Sequence, residues 1–205
     1  MSAPKRSPAS PARSRSNDPE GMRNRILDAA FDAFVTRGYH ATAMNDIRDL
    51  AGVSGGAFAH HFPSKKQLGL AVLKERVADA VTQSWIAPVQ QADTAKEGIL
   101  AVMTAIIDEL SAKAKVIGCP LNNLAHELSG GDRDFQVACA AVFDRWQDGI
   151  AEALMRDGAV DEATEAGRLA GFVIASYSGA MAMAKSRQDT GALCDCRAMF
   201  DRMIP

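Results

Sequence analysis

An all-α chain, with a small N-terminal three-helix unit joined to a larger helical body, is what the sequence predicts. Apolar residues recur at helical spacing in window after window, and the sustained apolar/polar alternation of a half-buried strand is absent. Ser, Thr, Gly and Pro stand between those windows, where helix caps and stops belong. With 205 residues, 47% of them hydrophobic, the chain can bury a sizeable core.

Residues 1–21, MSAPKRSPASPARSRSNDPEG, are rich in Ser, Pro and Ala, carry scattered Lys5, Arg6, Arg13 and Arg15, and lack core residues, so a disordered tail is expected. From Arg23 the pattern turns helical: Ile26, Leu27, Ala30, Phe31, Phe34 and Val35 form one stripe that ends at Gly38. Thr42 is placed to cap a second helix of about two turns. Met44, Ile47 and Leu50 or Ala51 make its inner face, and Gly52 closes it.

Ser54 caps a third helix running to Phe62, where Pro63 blocks continuation. Phe58 and Phe62 share one face, Gly55, Gly56, Ala59 and His60 the other, with His61 at the edge. Ser64 caps a fourth helix through Lys65, Lys66, Leu68, Leu70, Val72, Leu73 and Val77. Further helices are expected near 94–115, 120–129, 132–157, 162–187 and 191–203. The chain therefore divides into a tail at 1–21, a helix-turn-helix unit at 22–67 and a helical body at 68–205.

Charge follows the same division. Residues 1–66 hold ten Lys and Arg against six Asp and Glu, whereas residues 67–205 hold thirteen against nineteen. A basic end that meets a polyanion, joined to an acidic body that does not, is one reading; chance clustering is the other. The four cysteines, Cys119, Cys139, Cys194 and Cys196, come without a secretory segment, so a reducing, cytoplasmic setting is expected. The longest apolar run, sixteen residues from Leu169 to Ala184, is short for a bilayer span and reads as a buried helix.

Two short helices joined through Gly52, the second one exposed, fit a helix-turn-helix, whose second helix enters a major groove; a generic helical hairpin packed in a core is the other reading. Small residues on the second helix's outer face let the backbone approach base edges, while Phe58 and Phe62 anchor it from behind. The run RNRILDAAFDAFVTRGYHATAMNDIRDLAGVSGGAFAHHFPSKKQLGLAVL, Arg23 to Leu73, resembles the DNA-binding domain of the TetR family of bacterial transcriptional repressors, with ILDAAxxxF, RGYxxTxMxDI and AGVSxGxxxxHFPSKxxL in order. The resemblance implies an all-helical homodimer whose larger domain binds an inducer and dimerises. It implies phosphate contacts at Thr42, His61 and Lys65, and places Gly55, Gly56, Ala57 and His60 toward bases, following Ser54.

Where such proteins commonly carry Lys, Thr and Tyr, this chain has Gly55, Ala57 and Ala59. Each bidentate base contact contributes about 1–3 kcal/mol, so operator choice is expected to lean on Arg48, backbone contacts and DNA shape.

The stretch GCPLNNLAHELSGGD, Gly118 to Asp132, resembles a motif of one branch of that family, in which the cysteine can sense electrophiles or oxidants. Cys119 before Pro120 sits at an expected helix start, where exposed amides favour thiolate. The other reading is an inert buried residue packing the turn. Met103, Ile107, Leu124, Phe143, Trp146, Phe172 and Met181 offer apolar and aromatic surface for a pocket, with Asn122, Asn123, His126 and Tyr177 as polar anchors. Such residues also make plain core.

An apolar or aromatic inducer, or an electrophile, is the expected small-molecule partner. Gly171, Ala175 and Gly179 recur every four residues and, with the 191–203 helix, resemble the family's dimer interface. Cys194 and Cys196, one residue apart with no second pair, do not complete a metal site. No cofactor is implied, and no histidine stands beside a nucleophile or ligand set as an enzyme would need. The competing reading is an all-α small-molecule carrier without DNA binding.

Because glycine destabilises a helix interior by up to about 1 kcal/mol relative to alanine, Gly55→Ala is expected to raise the melting temperature without DNA; a lowered one contradicts this reading of the third helix.

Overall fold

The computed structural model describes residues 18–113 and 115–205. The expectation of disorder at residues 1–17 lies outside the described residues. Pro19, Glu20 and Gly21, also assigned to the tail, are instead helical: α1 spans Pro19–Arg37. The Asp18 carboxylate accepts from the Gly21 N–H at 2.9 Å, and Pro19 fills a first-turn position where no N–H is needed. Helix therefore starts four residues before Arg23.

α2 (Met44–Ala51) closes on Gly52 in the left-handed conformation, φ +64°, which glycine adopts without a Cβ penalty. Thr42 does not cap it. Ala43 holds the cap position, and the buried Thr42 hydroxyl turns inward, 2.7 Å from the Gly38 carbonyl oxygen and 3.3 Å from that of Ala33. α3 (Gly55–His61) begins with the Ser54 Oγ accepting from the Ala57 N–H, and ends at Phe62.

α4 opens at Lys65–Val72 with the Ser64 Oγ accepting from the Gln67 N–H. It then runs without a break through a π-helical turn at Leu73–Val77, Ala78–Val81, a second π turn at Thr82–Ile86, and Ala87–Gln91. The sequence reading followed this helix only to Val77. The wide turn just before Pro88 accommodates a residue with no N–H to give.

The body continues with α5 (Ala95–Ala112), α6 (Pro120–Leu128), α7 (Arg133–Arg156), α8 (Ala163–Arg187) and α9 (Gly191–Met203). These agree with the expected helices to within a few residues.

One hydrophobic core runs through both parts. In the small unit Ile26, Leu27, Phe34, Ile47 and Leu68 are sealed from solvent, and Phe58 and Phe62 hold α3 from behind. In the body Trp85 from α4 meets Trp146 from α7 at 5.1 Å and Tyr177 from α8 at 4.7 Å between ring centroids. The long α4 links the two, packing against α1 at one end and α7 along its length.

Where α4 passes the turn after α1, Gly69 leaves room for Tyr39 and Phe135: a Cβ there would lie 2.7 Å from the Tyr39 ring. No helix among the described residues is long and apolar enough to cross a membrane. On the outer side of α8 and α9, Phe172, Met183, Met199 and Met203 remain exposed beside Ala175 and Gly179.

Candidate functional site

Two regions carry the candidate residues, and a third that the sequence reading missed joins them. The first is the outer side of α2 and α3. Ser54, Gly55, Gly56 and His60 are exposed, Ala57 and His61 partly so. Beyond its chain neighbours and the adjoining backbone of α3, nothing lies within 4 Å of where a Cβ would stand on Gly55 or Gly56, so the beginning of α3 is bare backbone facing open space.

The His60 and His61 rings meet edge to face at 5.5 Å, and α3 has no acidic residue in its first turn. On α2 the Arg48 guanidinium lies against the Asp49 carboxylate at 2.7 and 2.8 Å and the Asn45 side-chain oxygen at 3.2 Å. Thr42 is the correction in this group. Its side chain is 1% exposed and its hydroxyl is used within the turn, so it does not offer that hydroxyl to a phosphate.

Lys65 sits beside the same turn. Its ammonium lies 4.6 Å from the Tyr39 ring centroid and donates to the His40 carbonyl at 3.3 Å. Burial pulls its pKa down, and the nearby Glu127 carboxylate opposes that.

The joining region is built on Glu127 of α6. Its carboxylate accepts from the backbone N–H of Tyr39 at 2.8 Å and of His40 at 2.5 Å. Gly38 makes the approach possible: its φ is +93°, and a Cβ there would stand 3.2 Å from Glu127 Oε2. Lys66 adds a second tie, 2.7 Å from both Asp132 and Asp134 at the start of α7. At the other end of the small unit, Arg23 pairs with Glu75 through both nitrogens, which holds the Glu75 carboxyl below the usual range. The sequence signal for Glu127 was its place in the Gly118–Asp132 motif, where it was given no role.

The second candidate region is a cavity of about 600 Å³ between the end of α1, the 115–119 segment, α6 and the last turns of α8. Of the expected ligand residues, Cys119, Asn123 and His126 line it, together with Asn122 and Met181. A neighbouring cavity of about 440 Å³ shares Asn122, His126 and Ser178 and adds Phe143. The remaining candidates lie elsewhere.

Trp146 and Tyr177 pack with Trp85, leaving a gap of only about 50 Å³, and burial raises the Tyr177 pKa. Met103 is fully buried in the core and Ile107 partly buried against it. Phe172 is 42% exposed on the outer side of α8, its ring 6.5 Å from that of Phe200, so it lines neither cavity. Of the four aromatic residues expected to enclose a ligand, Trp146 and Tyr177 fill the space themselves.

Of the two readings of Cys119, the structure agrees with the buried residue packing the turn. The residue holds the cap position of α6, but the thiol is buried, and burial drives its pKa up despite the Asn122 and Leu121 amides that oppose it. A helix start favours thiolate only while water or a cation shares the charge. Cys194 is exposed, Cys196 partly buried, and among the described residues no group of His, Cys, Asp and Glu is arranged to hold a metal ion.

Residues 26–72 match the family described as bacterial regulatory proteins, tetR family. Residues 95–199 match the transcriptional regulator LmrA/YxaF-like C-terminal domain. An uncharacterized HTH-type transcriptional regulator of Mycobacterium tuberculosis is 30% identical over 181 residues, covering 83% of this chain and 87% of that protein. The HTH-type transcriptional repressor DhaR of Mycobacterium sp. strain GP1 is 25% identical over 195 residues, covering 90% and 93%.

Among solved structures, a TetR transcriptional regulator from Chloroflexus aurantiacus superposes with a TM-score of 0.76 at 25% identity, covering 91% of this chain and 95% of that one. The reduced form of Escherichia coli NemR gives 0.79 at 21% identity, covering 90% and 97%, a likeness of fold.

The burial of Cys119 has a direct chemical readout. At neutral pH iodoacetamide is expected to label the exposed Cys194 faster than Cys119, followed by peptide mass spectrometry; faster labelling of Cys119 contradicts the raised pKa.

Proposed function

The chain belongs to the TetR family of bacterial transcriptional regulators, and we propose that it is a cytoplasmic repressor that holds a palindromic operator as a homodimer and is released by a small molecule. As a member of that family it is a DNA-binding regulator and not an enzyme. That the similar DhaR is a repressor supports the sign of control.

The observation that carries the reading is the bare outer side of α3, exposed at Gly55 and Gly56 and held from behind by Phe58 and Phe62. Ser54, Gly55, Gly56, Ala57 and His60 meet the major groove, Arg48 contributes to operator choice, and His61 and Lys65 stand at the phosphates. Thr42 takes part only by shaping the turn. A mate joined through Phe172, Ala175, Gly179 and Met183 on α8 and Met199 and Met203 on α9 sets the two reading helices about 34–36 Å apart, one helical turn of DNA. Exposed apolar surface of this kind marks an interaction site.

The effector, a small molecule with an apolar or aromatic part, enters the 600 Å³ cavity and does not need covalent capture by Cys119. Its message leaves through α6. Glu127 holds the Tyr39–His40 turn, so a shift of α6 tilts the small unit and changes the spacing of the paired α3 helices. The effector can move that equilibrium only by its differential affinity for the two arrangements.

The test is a titration against the DNA flanking the protein's own gene at two salt concentrations. Affinity is expected to fall steeply with salt, and Lys65→Gln to weaken binding to every sequence and lower the slope by about one. Negligible, salt-independent binding would overturn the proposal in favour of a small-molecule carrier.

A further inference from the structure

The 600 Å³ cavity is unevenly charged. Arg37, Lys115 and Lys185 line it against one carboxylate, Glu127. Both Glu127 oxygens are already engaged by the Tyr39 and His40 amides. Arg37 has only a loose partner, Asp46 at 3.8 Å, and Lys115 is exposed with no carboxylate partner among the described residues.

Lys185 is the most firmly placed of the three. Its ammonium donates to the Asn123 Oδ1 at 2.9 Å, a neutral acceptor, while Asn123 Nδ2 donates to the Ile117 carbonyl at 2.9 Å. Gly118 lets this arrangement close: its φ is +91°, and a Cβ there would lie 2.9 Å from Asn123 Oδ1 and 3.0 Å from Lys185 Cδ.

A cation in the last turn is what a helix C-terminus favours by itself, and Arg37 and Lys185 are the last-turn residues of α1 and α8. That accounts for their presence and leaves the imbalance. Lys115 belongs to no helix, and the Lys185 charge is steered over the cavity by an amide that does not neutralise it. Asn122, which lines both cavities, keeps its Nδ2 buried with no acceptor. Around these groups Phe34, Val116 and Met181 supply an apolar wall.

Resting on the reading of this cavity as the effector site, we propose that it takes an organic carboxylate: an apolar body against Phe34 and Met181, with the carboxylate bound by Lys185 and Lys115. Charge-assisted hydrogen bonds from ammonium to carboxylate are about twice as strong as neutral ones.

Calorimetric titration of the full chain with octanoate, octan-1-ol and octylamine tests this. Octanoate is expected to bind at least about tenfold more tightly than octan-1-ol at low salt, with octylamine weakest. Lys185→Met and Lys115→Met, made separately, are each expected to reduce that preference severalfold while octan-1-ol binding is kept. The octan-1-ol titration reports whether each variant is still folded, and either variant alone suffices. Equal binding of octanoate and octan-1-ol, no binding by either, or an unchanged preference in both variants overturns the proposal. Operator titration without added ligand distinguishes the two failures, because salt-dependent DNA binding persists if only the ligand class is wrong.

Discussion

The contact on which the account depends is the Glu127 carboxylate receiving two backbone N–H groups from the turn after α1. A turn that ends one helix and begins another leaves amides without helical partners. Tyr39 and His40 find theirs 88 and 87 residues away, on a helix of the other part of the molecule. Hydrogen bonds to a charged group contribute about 1.5–3 kcal/mol each, enough to make the orientation of the small unit follow α6. Lys65 grips the same turn from α4, over the Tyr39 ring and onto the His40 carbonyl. The turn is therefore fixed from two sides, and one of them is a cavity wall.

That arrangement explains how an insubstantial reading helix can be used. With two glycines in its first turn and seven residues in all, α3 has little helical stability of its own. Its conformation is imposed by Ser54 at the cap, by Phe58 and Phe62 in the core, and by α2 through the left-handed Gly52. What the helix gives up in side-chain contacts it gains in closeness of backbone approach. On the proposed function, recognition of DNA by such a surface depends more on its position than on its chemistry, and the Glu127 contact sets that position.

Much of this was legible in the sequence, because helix caps and apolar stripes are local. Ser54, Ser64, Gly52 and the Phe58–Phe62 pair stand where the pattern put them, and the body helices differ from expectation by a few residues at their ends. What was missed depended on contacts distant in the chain or on competing local signals. Asp18–Pro19 is a good helix start hidden in a tail-like composition. The fourth helix was followed only to Val77, and it runs on past Pro88, which a π turn precedes. Thr42 has the chemistry of a cap, but its hydroxyl is drawn inward by Gly38. Periodicity gave no means of separating the aromatic residues that fill the core, Trp85, Trp146 and Tyr177, from Phe172, which faces outward.

Amide hydrogen exchange at Tyr39 and His40 tests the central contact most directly. In the wild-type protein both amides are expected to be protected, and in Glu127→Ala both to exchange at least about tenfold faster while core amides such as that of Ile150 keep their rates. Rapid exchange at both positions in the wild-type protein, or unchanged protection after the carboxylate is removed, would contradict the account.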